Sequence, residues 1–450
     1  MKEEIRKEIV DIYIKDPIQK FISNSSASGV VLFISALLAL IIANTPWSDW
    51  YHSLWHIHFK IGFSDYIIDK DLHHWINDGL MAIFFFVVGL ELKREVLAGE
   101  LSSPKNAILP LCGAVGGMAV PALIYMFFNP TGEASNGWGI PMATDIAFAL
   151  GILYLLGKNV PTTLKIFLTA LAIADDIGAV LVIAFFYTSN IDFMSLFTGA
   201  AFLVVLITAN LIGVRSTLFY AIVGIAGLWT AFLMSGVHAT IAAVIAAFTI
   251  PSTARIPENT FTNIIQKLLN KFNDLDPNNQ PTLTEDQLHV LSKMSKVSNE
   301  ALPPLQRLEH GMHPLVSFIV MPIFAFANAG VTIKGEFMEL IMSPVTLGVI
   351  LGLLIGKVVG VFGITFILTK LKIAKLPVGM NTLHLLGASI LAAIGFTMSL
   401  FISGLAFTNP IYDMEAKIGI LLASFIAGIF GFITIKRANS IQRKKGLTIT

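Results

Sequence analysis

The chain has 450 residues, 55% of them hydrophobic and only 13% charged, and its mean hydropathy is +0.75. That is too apolar for an ordinary soluble domain and identifies an all-α polytopic membrane protein. A net charge of +1 gives no ground for nucleic-acid binding, and the lone Cys112 excludes an intrachain disulfide framework.

The first twenty residues, MKEEIRKEIVDIYIKDPIQK, lack the unbroken apolar segment and cleavage site of a signal peptide, so they are expected to be retained. Hydropathy then predicts twelve transmembrane helices in one domain: 28 to 44, 75 to 92, 107 to 128, 139 to 156, 164 to 187, 193 to 212, 217 to 233, 237 to 250, 315 to 331, 345 to 368, 385 to 407 and 418 to 435. Span eight is short for a full crossing. Merging it with span seven, however, would export either LTKLKIAKL or the terminal IKRANSIQRKK region. With twelve spans and cytoplasmic termini only Lys60, Lys70, Lys334 and Lys417 lie outside, which satisfies the positive-inside rule.

Two connections are long. Residues 45 to 74 form an external, aromatic-rich loop whose WHIHFKIG stretch alternates enough for a small β-hairpin, with an irregular loop as the alternative. Residues 251 to 311 form a polar cytoplasmic loop. Inside it TLTEDQLHVL carries a capping-box pattern and NIIQKLLNKF spaces its apolar residues helically, so a partly helical solvated loop is expected.

Charge at membrane depth is confined to ATDIAFALG (Asp145), ALAIADDIGAV (Asp175, Asp176) and GLLIGKVVG (Lys357). A charged side chain at the bilayer centre costs about 2.5 to 3.5 kcal/mol on insertion scales, so these residues carry either chemistry or a structural ion pair. Adjacent carboxylates in low dielectric resist ionising together, which couples their titrations and calls for protons or a cation. With the Thr144 hydroxyl and backbone carbonyls they make an all-oxygen set suited to Na+ rather than a soft transition metal. A site holding either Na+ or H+ becomes an exchanger under alternating access.

Gly139, Pro141 and Thr144 in span four, and Gly395, Phe396 and Thr397 in span eleven, predict two broken helices. The two spans run in opposite directions, as an inverted repeat of spans three to five and ten to twelve requires. Opposed half-helix ends meeting at the midplane bring positive and negative poles together, which Asp145 and Lys357 are placed to neutralise.

The stretches WINDGLMAIFFFVVGLELKRE, PMATDIAFALG, ALAIADDIGAVLVIA, SGVHAT, RLEHGMHP, PIFAFANAGV, GLLIGK and AAIGFTMSLFISGLAF resemble, in order, those of the NhaA family of sodium/proton antiporters. That family is itself a known case of inverted repeats, so the repeat expectation is shared with the resemblance. The resemblance implies an electrogenic, pH-regulated antiporter of the cell inner membrane that exports Na+ or Li+ for external H+, without a cofactor. It implies that Asp175 and Asp176 bind the ion, Asp176 more centrally, with Thr144 and Asp145 at the unwound crossing and Lys357 facing it. It assigns pH sensing to Glu91, Arg94 and Glu95 with Glu309, His310 and His313, and gives Asp78 and His238 further matching positions. It also implies a homodimer formed partly through the loop at 45 to 74.

On the residues alone, Glu91 to Glu95 is a charged helix end at the interface. Two departures from the family touch that end: Gln306 replaces a lysine of the best-known member, and the 251 to 311 loop is longer. A sodium-coupled solute symporter also uses broken helices and Na+ ligands, and is the alternative; an aspartyl protease would need its aspartates on separate helices.

Overall fold

The computed structural model describes residue 21 and residues 25–63, 66–157, 160–188, 191–275, 282–333 and 337–444. The first twenty residues, Lys158 and Lys334, which enter the charge count, lie outside them. Among the described residues ten helices are long and apolar enough to cross a membrane, or eleven if Ala27–Ala43 and Ser48–Trp55, bent by 116°, form one span. The helix predicted as span eight is Ala239–Thr249, eleven residues. At 1.5 Å per residue it covers about 16 Å, roughly half of a bilayer core. It is separated from span seven at Gly236, whose φ of 79° is left-handed and suits glycine. The twelve segments are therefore present as helices, but the eighth is too short to cross as an α-helix alone.

Burial sorts the helices. Of its most apolar window, 89% is buried in Thr382–Ala406 but only 17% in Phe193–Leu211, so span eleven is the centre and span six the rim. Around that centre Pro104–Phe128 packs on Pro344–Lys370 through glycines. A Cβ built on Gly360 would stand 2.1 Å from the Gly116 carbonyl oxygen, and one on Gly356 would stand 2.7 Å from Pro121 Cα. Without a hydrophobic drive between helices in lipid, such backbone contact is what holds them together. Gly363, three residues on, has nothing within 4 Å of its would-be Cβ. Gly360→Ala is therefore expected to destabilise by about 1 to 3 kcal/mol or more, as overpacking does, and Gly363→Ala to be neutral. Thermal unfolding of the two purified variants checks this, and equal midpoints would contradict the contact.

The 45 to 74 connection contains an antiparallel hairpin, β1 (His58–Phe63) and β2 (Tyr66–Asp71), with His58 opposite Asp71 and Phe63 opposite Tyr66. It is preceded by a helix, Ser48–Trp55, which the sequence reading did not resolve. Lys60 Nζ lies 2.6 Å and His58 Nδ1 2.9 Å from the Asp69 carboxylate. Their hydrogen bonds, Lys60 first, hold that carboxyl below the usual range, so the cross-strand contact persists until the pH falls through the lowered value.

The 251 to 311 connection folds into two helices, Glu258–Asn273 and Glu285–Ala301, the second opened by a capping box between Thr284 and Gln287. Leu268, Val290 and Val297 form a small core between them, separate from the main one.

Candidate functional site

Span four runs as a tight 3₁₀ helix over Glu133–Met142, is extended at Ala143 and Asp145, and resumes as an α-helix at Ile146–Leu155. Pro141 has no N–H to give a regular helix, which accounts for the unwinding on its side. Span eleven stops at Ala392 and restarts at Phe396. Its break is Ala393–Gly395, two residues earlier than the sequence placed it; Phe396 and Thr397 open the second half-helix. A Cβ on Gly395 would lie 2.1 Å from Ser399 Oγ and 3.0 Å from Leu353 Cδ2, so glycine leaves room for both side chains at the break.

The two breaks are stitched to each other. The Asp145 N–H donates to the Ile394 carbonyl at 2.7 Å, and Thr144 Oγ1 donates to the Ala392 carbonyl at 2.8 Å. Both acceptors sit at the carbonyl end of the first half of span eleven. Asp145 serves the two N-terminal ends at once: Oδ1 accepts from Phe148 N at 2.9 Å, and Oδ2 accepts from Thr397 N at 3.1 Å and from Thr397 Oγ1. One carboxylate therefore faces two positive helix ends. On the opposite pole, Lys357 Nζ donates to the Met142 carbonyl, which ends the 3₁₀ segment. The sequence reading missed Thr397 as a partner of Asp145; a hydroxyl residue directly after GF at a break was the available signal.

Against this crossing lies Thr162–Phe186, which carries Asp175 and Asp176, both buried. Asp175 Oδ2 takes the Lys357 ammonium at 2.8 Å, with both side chains fully buried, and lies 2.7 Å from Thr144 Oγ1, whose single O–H is shared between this oxygen and the Ala392 carbonyl. Lys357 itself lies in a π-helical turn, Gly352–Lys357, and its stem runs past Gly117, where an added Cβ would stand 3.5 Å from Cδ and Cε. Asp175 Oδ1 and Asp176 Oδ1 are buried with no hydrogen-bond partner in the protein. Two unpartnered carboxylate oxygens on neighbouring residues fit a hard cation or a proton.

The other predicted residues gather elsewhere. Arg94 Nε is 3.2 Å from Glu309 Oε1 and Arg94 Nη2 is 3.0 Å from Glu95 Oε1, so span two is tied to the start of span nine. Glu309 Oε2 is buried and unpartnered, whereas His310, His313 and Gln306 are exposed. Glu91 lies on the same helix as Arg94 and Glu95, three residues before Arg94. His238 Nε2 lies 2.9 Å from the Tyr187 carbonyl, and Asp78 lies in the π-helical turn Trp75–Leu80, neither of them in contact with the Arg94 cluster.

Residues 19–435 match the protein family described as Na+/H+ antiporter 1. The Na+/H+ antiporter NhaA of Oleidesulfovibrio alaskensis is 48% identical over 421 residues, which cover 93% of each chain. The Na+/H+ antiporter NhaA of Acidithiobacillus ferrooxidans is 48% identical over 438 residues, 96% of this chain and 98% of the relative. A Helicobacter pylori Na+/H+ antiporter NhaA is 47% identical over 427 residues, 94% of this chain and 96% of the relative.

Proposed function

The chain belongs to the Na+/H+ antiporter family, and from that premise we propose that it exports Na+ across the cell inner membrane in exchange for H+. The observation that carries the reading is the buried pair Asp175 and Asp176, one oxygen on each unpartnered, beside two interrupted helices. Na+ held between the two carboxylates competes with the Lys357 ammonium for Asp175 and with a proton for Asp176. The site is therefore either loaded with Na+ or closed by protons, and the chemistry of exchange follows from that competition. Thr144 orients Asp175, and Asp145 holds the half-helices in register without joining the ion. Li+, a smaller hard cation, fits the same oxygen donors.

With the eighth crossing completed by the residues flanking Ala239–Thr249, spans three to five and ten to twelve act as inverted repeats and give the alternating access that this cycle needs. Both termini then face the cytoplasm, and the β1–β2 hairpin lies outside as the candidate homodimer contact. Acid-loaded proteoliposomes test the exchange: external Na+ should alkalinise the lumen. The rate should saturate with Na+, and no effect over pH 6 to 9 would refute antiport. A sodium-coupled symporter would instead move Na+ only with a solute present.

The Arg94, Glu95 and Glu309 cluster, with Glu91 toward the site, is the pH sensor in this reading, and His310 and His313 stand at its exposed edge. Glu309→Gln removes one arm of the Arg94 pairing. A loss of about 1 kcal/mol there corresponds to a shift of roughly 0.7 pH unit. The half-activation pH should move by about that much while maximal flux stays near wild type. Loss of exchange at every pH in folded protein would place Glu309 in the transport path instead.

A further inference from the structure

A cavity of about 680 Å³ lies apart from the aspartates, where three elements meet: the turn before Thr217–Ile222, the foot of the hairpin of helices Glu258–Asn273 and Glu285–Ala301, and the start of the helix at Pro304. Four cations line it: Arg215 from the turn, Arg255 ahead of the first hairpin helix, Lys296 on the second, and Arg307 just beyond. The one carboxylate in the lining is Glu300, whose Oε1 is 3.2 Å from Arg255 Nη1. Four cations against one carboxylate leave a surplus of three positive charges.

Arg215 is steadied by neutral groups only, the Thr253 carbonyl and, at 3.3 Å, Thr253 Oγ1, so its charge is oriented but not cancelled. Among the described residues Lys296 and Arg307 have no carboxylate partner. The hydroxyls of Ser216 and Ser295 and the Asn299 amide add neutral donors to the same wall, while the Ser292 hydroxyl donates to the His289 carbonyl at 3.0 Å. Like charges gathered around one hollow repel unless an anion sits among them, and guanidinium groups with hydroxyls match the geometry of phosphate oxygens. The volume is in the range of small-molecule sites.

We propose that this cavity is a binding site for a polyvalent phosphate group, which joins the helical hairpin to the membrane body. On the orientation proposed above, the cavity faces the cytoplasm at the membrane surface. The phosphate then comes either from a soluble polyphosphate or from an anionic lipid headgroup. Binding itself does not depend on the antiport reading.

The test uses inorganic pyrophosphate as probe, titrated calorimetrically into the purified full-length protein in phosphatidylcholine nanodiscs. Saturable binding is expected. Lys296→Glu combined with Arg307→Gln should weaken it at least tenfold, and Lys293→Glu, on the same helix but outside the lining, should leave it within about twofold. If the double variant does not fold, Ser292→Asp places a carboxylate in the same wall and should weaken binding in the same direction. Repeating the titration in discs containing phosphatidylglycerol separates the sources: unchanged pyrophosphate binding indicates a soluble ligand, and competitive loss indicates a headgroup. Absence of saturable binding in neutral discs, or binding that ignores the charge changes, overturns the proposal.

Discussion

Asp176→Asn is expected to abolish Na+-driven proton movement, at least a hundredfold, and at the same time to leave the protein as stable as before or more so. The two halves of this result have one physical origin. Asp176 is buried, and its Oδ1 has no hydrogen-bond partner in the protein, so no contact is lost when the carboxylate becomes an amide of the same shape. What is lost is a negative charge that is costly to keep in low dielectric without a partner, and on which cation binding depends. Asp175→Asn should behave differently. Its carboxylate is 2.8 Å from Lys357, and removing it leaves a buried ammonium uncompensated, which typically costs about 3 to 5 kcal/mol. Thermal unfolding and proteoliposome exchange measured on both variants separate the roles. Exchange by Asp176→Asn at near wild-type rate and apparent affinity would remove it from the site.

The asymmetry between the two aspartates was legible through the family resemblance, which puts Asp176 more centrally, and not through helix geometry. Adjacent helix positions diverge by about 100°, so the two carboxylates cannot both point the same way, but that angle does not say which member meets the lysine. That choice depends on how closely Pro344–Lys370 approaches Pro104–Phe128, and the approach is set by Gly116 and Gly360, residues that hydropathy scores as ordinary membrane filler. The elements themselves were legible because a helix in lipid must be long and apolar to satisfy its own backbone. The breaks were legible to within two residues, since glycine and proline mark weak points but the exact stop depends on tertiary contacts such as Phe396 N–H on Ser424 Oγ and Asp145 N–H on the Ile394 carbonyl. Helix Ser48–Trp55 escaped notice because SDWYHSLW carries its apolar residues without a long run, and the polar hairpin at 258 to 301 showed its capping box but not its own small core.

Exchange is expected to be electrogenic, because the charge of the site changes by one between its two loaded forms. Take the ion pair of Lys357 and Asp175 as the closed state, with Asp176 protonated: the three groups sum to zero. In the Na+-loaded form, with Lys357 having released its proton, two carboxylates and one Na+ sum to −1. Two protons have been exchanged for one Na+. If Lys357 stays charged throughout and both carboxylates take protons instead, each total rises by one and the difference is again one charge. A potential of 100 mV acting on one charge supplies about 2.3 kcal/mol, which shifts an equilibrium gradient several tens of fold. An inside-negative membrane should therefore drive Na+ outward even against a rising external concentration. Potentials set with K+ and valinomycin across proteoliposomes, at fixed Na+ and H+ gradients, give the zero-flux point directly. For two protons per Na+ that point moves with voltage by the full value of one charge; a point that ignores voltage means one-for-one exchange, and then Lys357 and one of the two carboxylates do not titrate in the cycle.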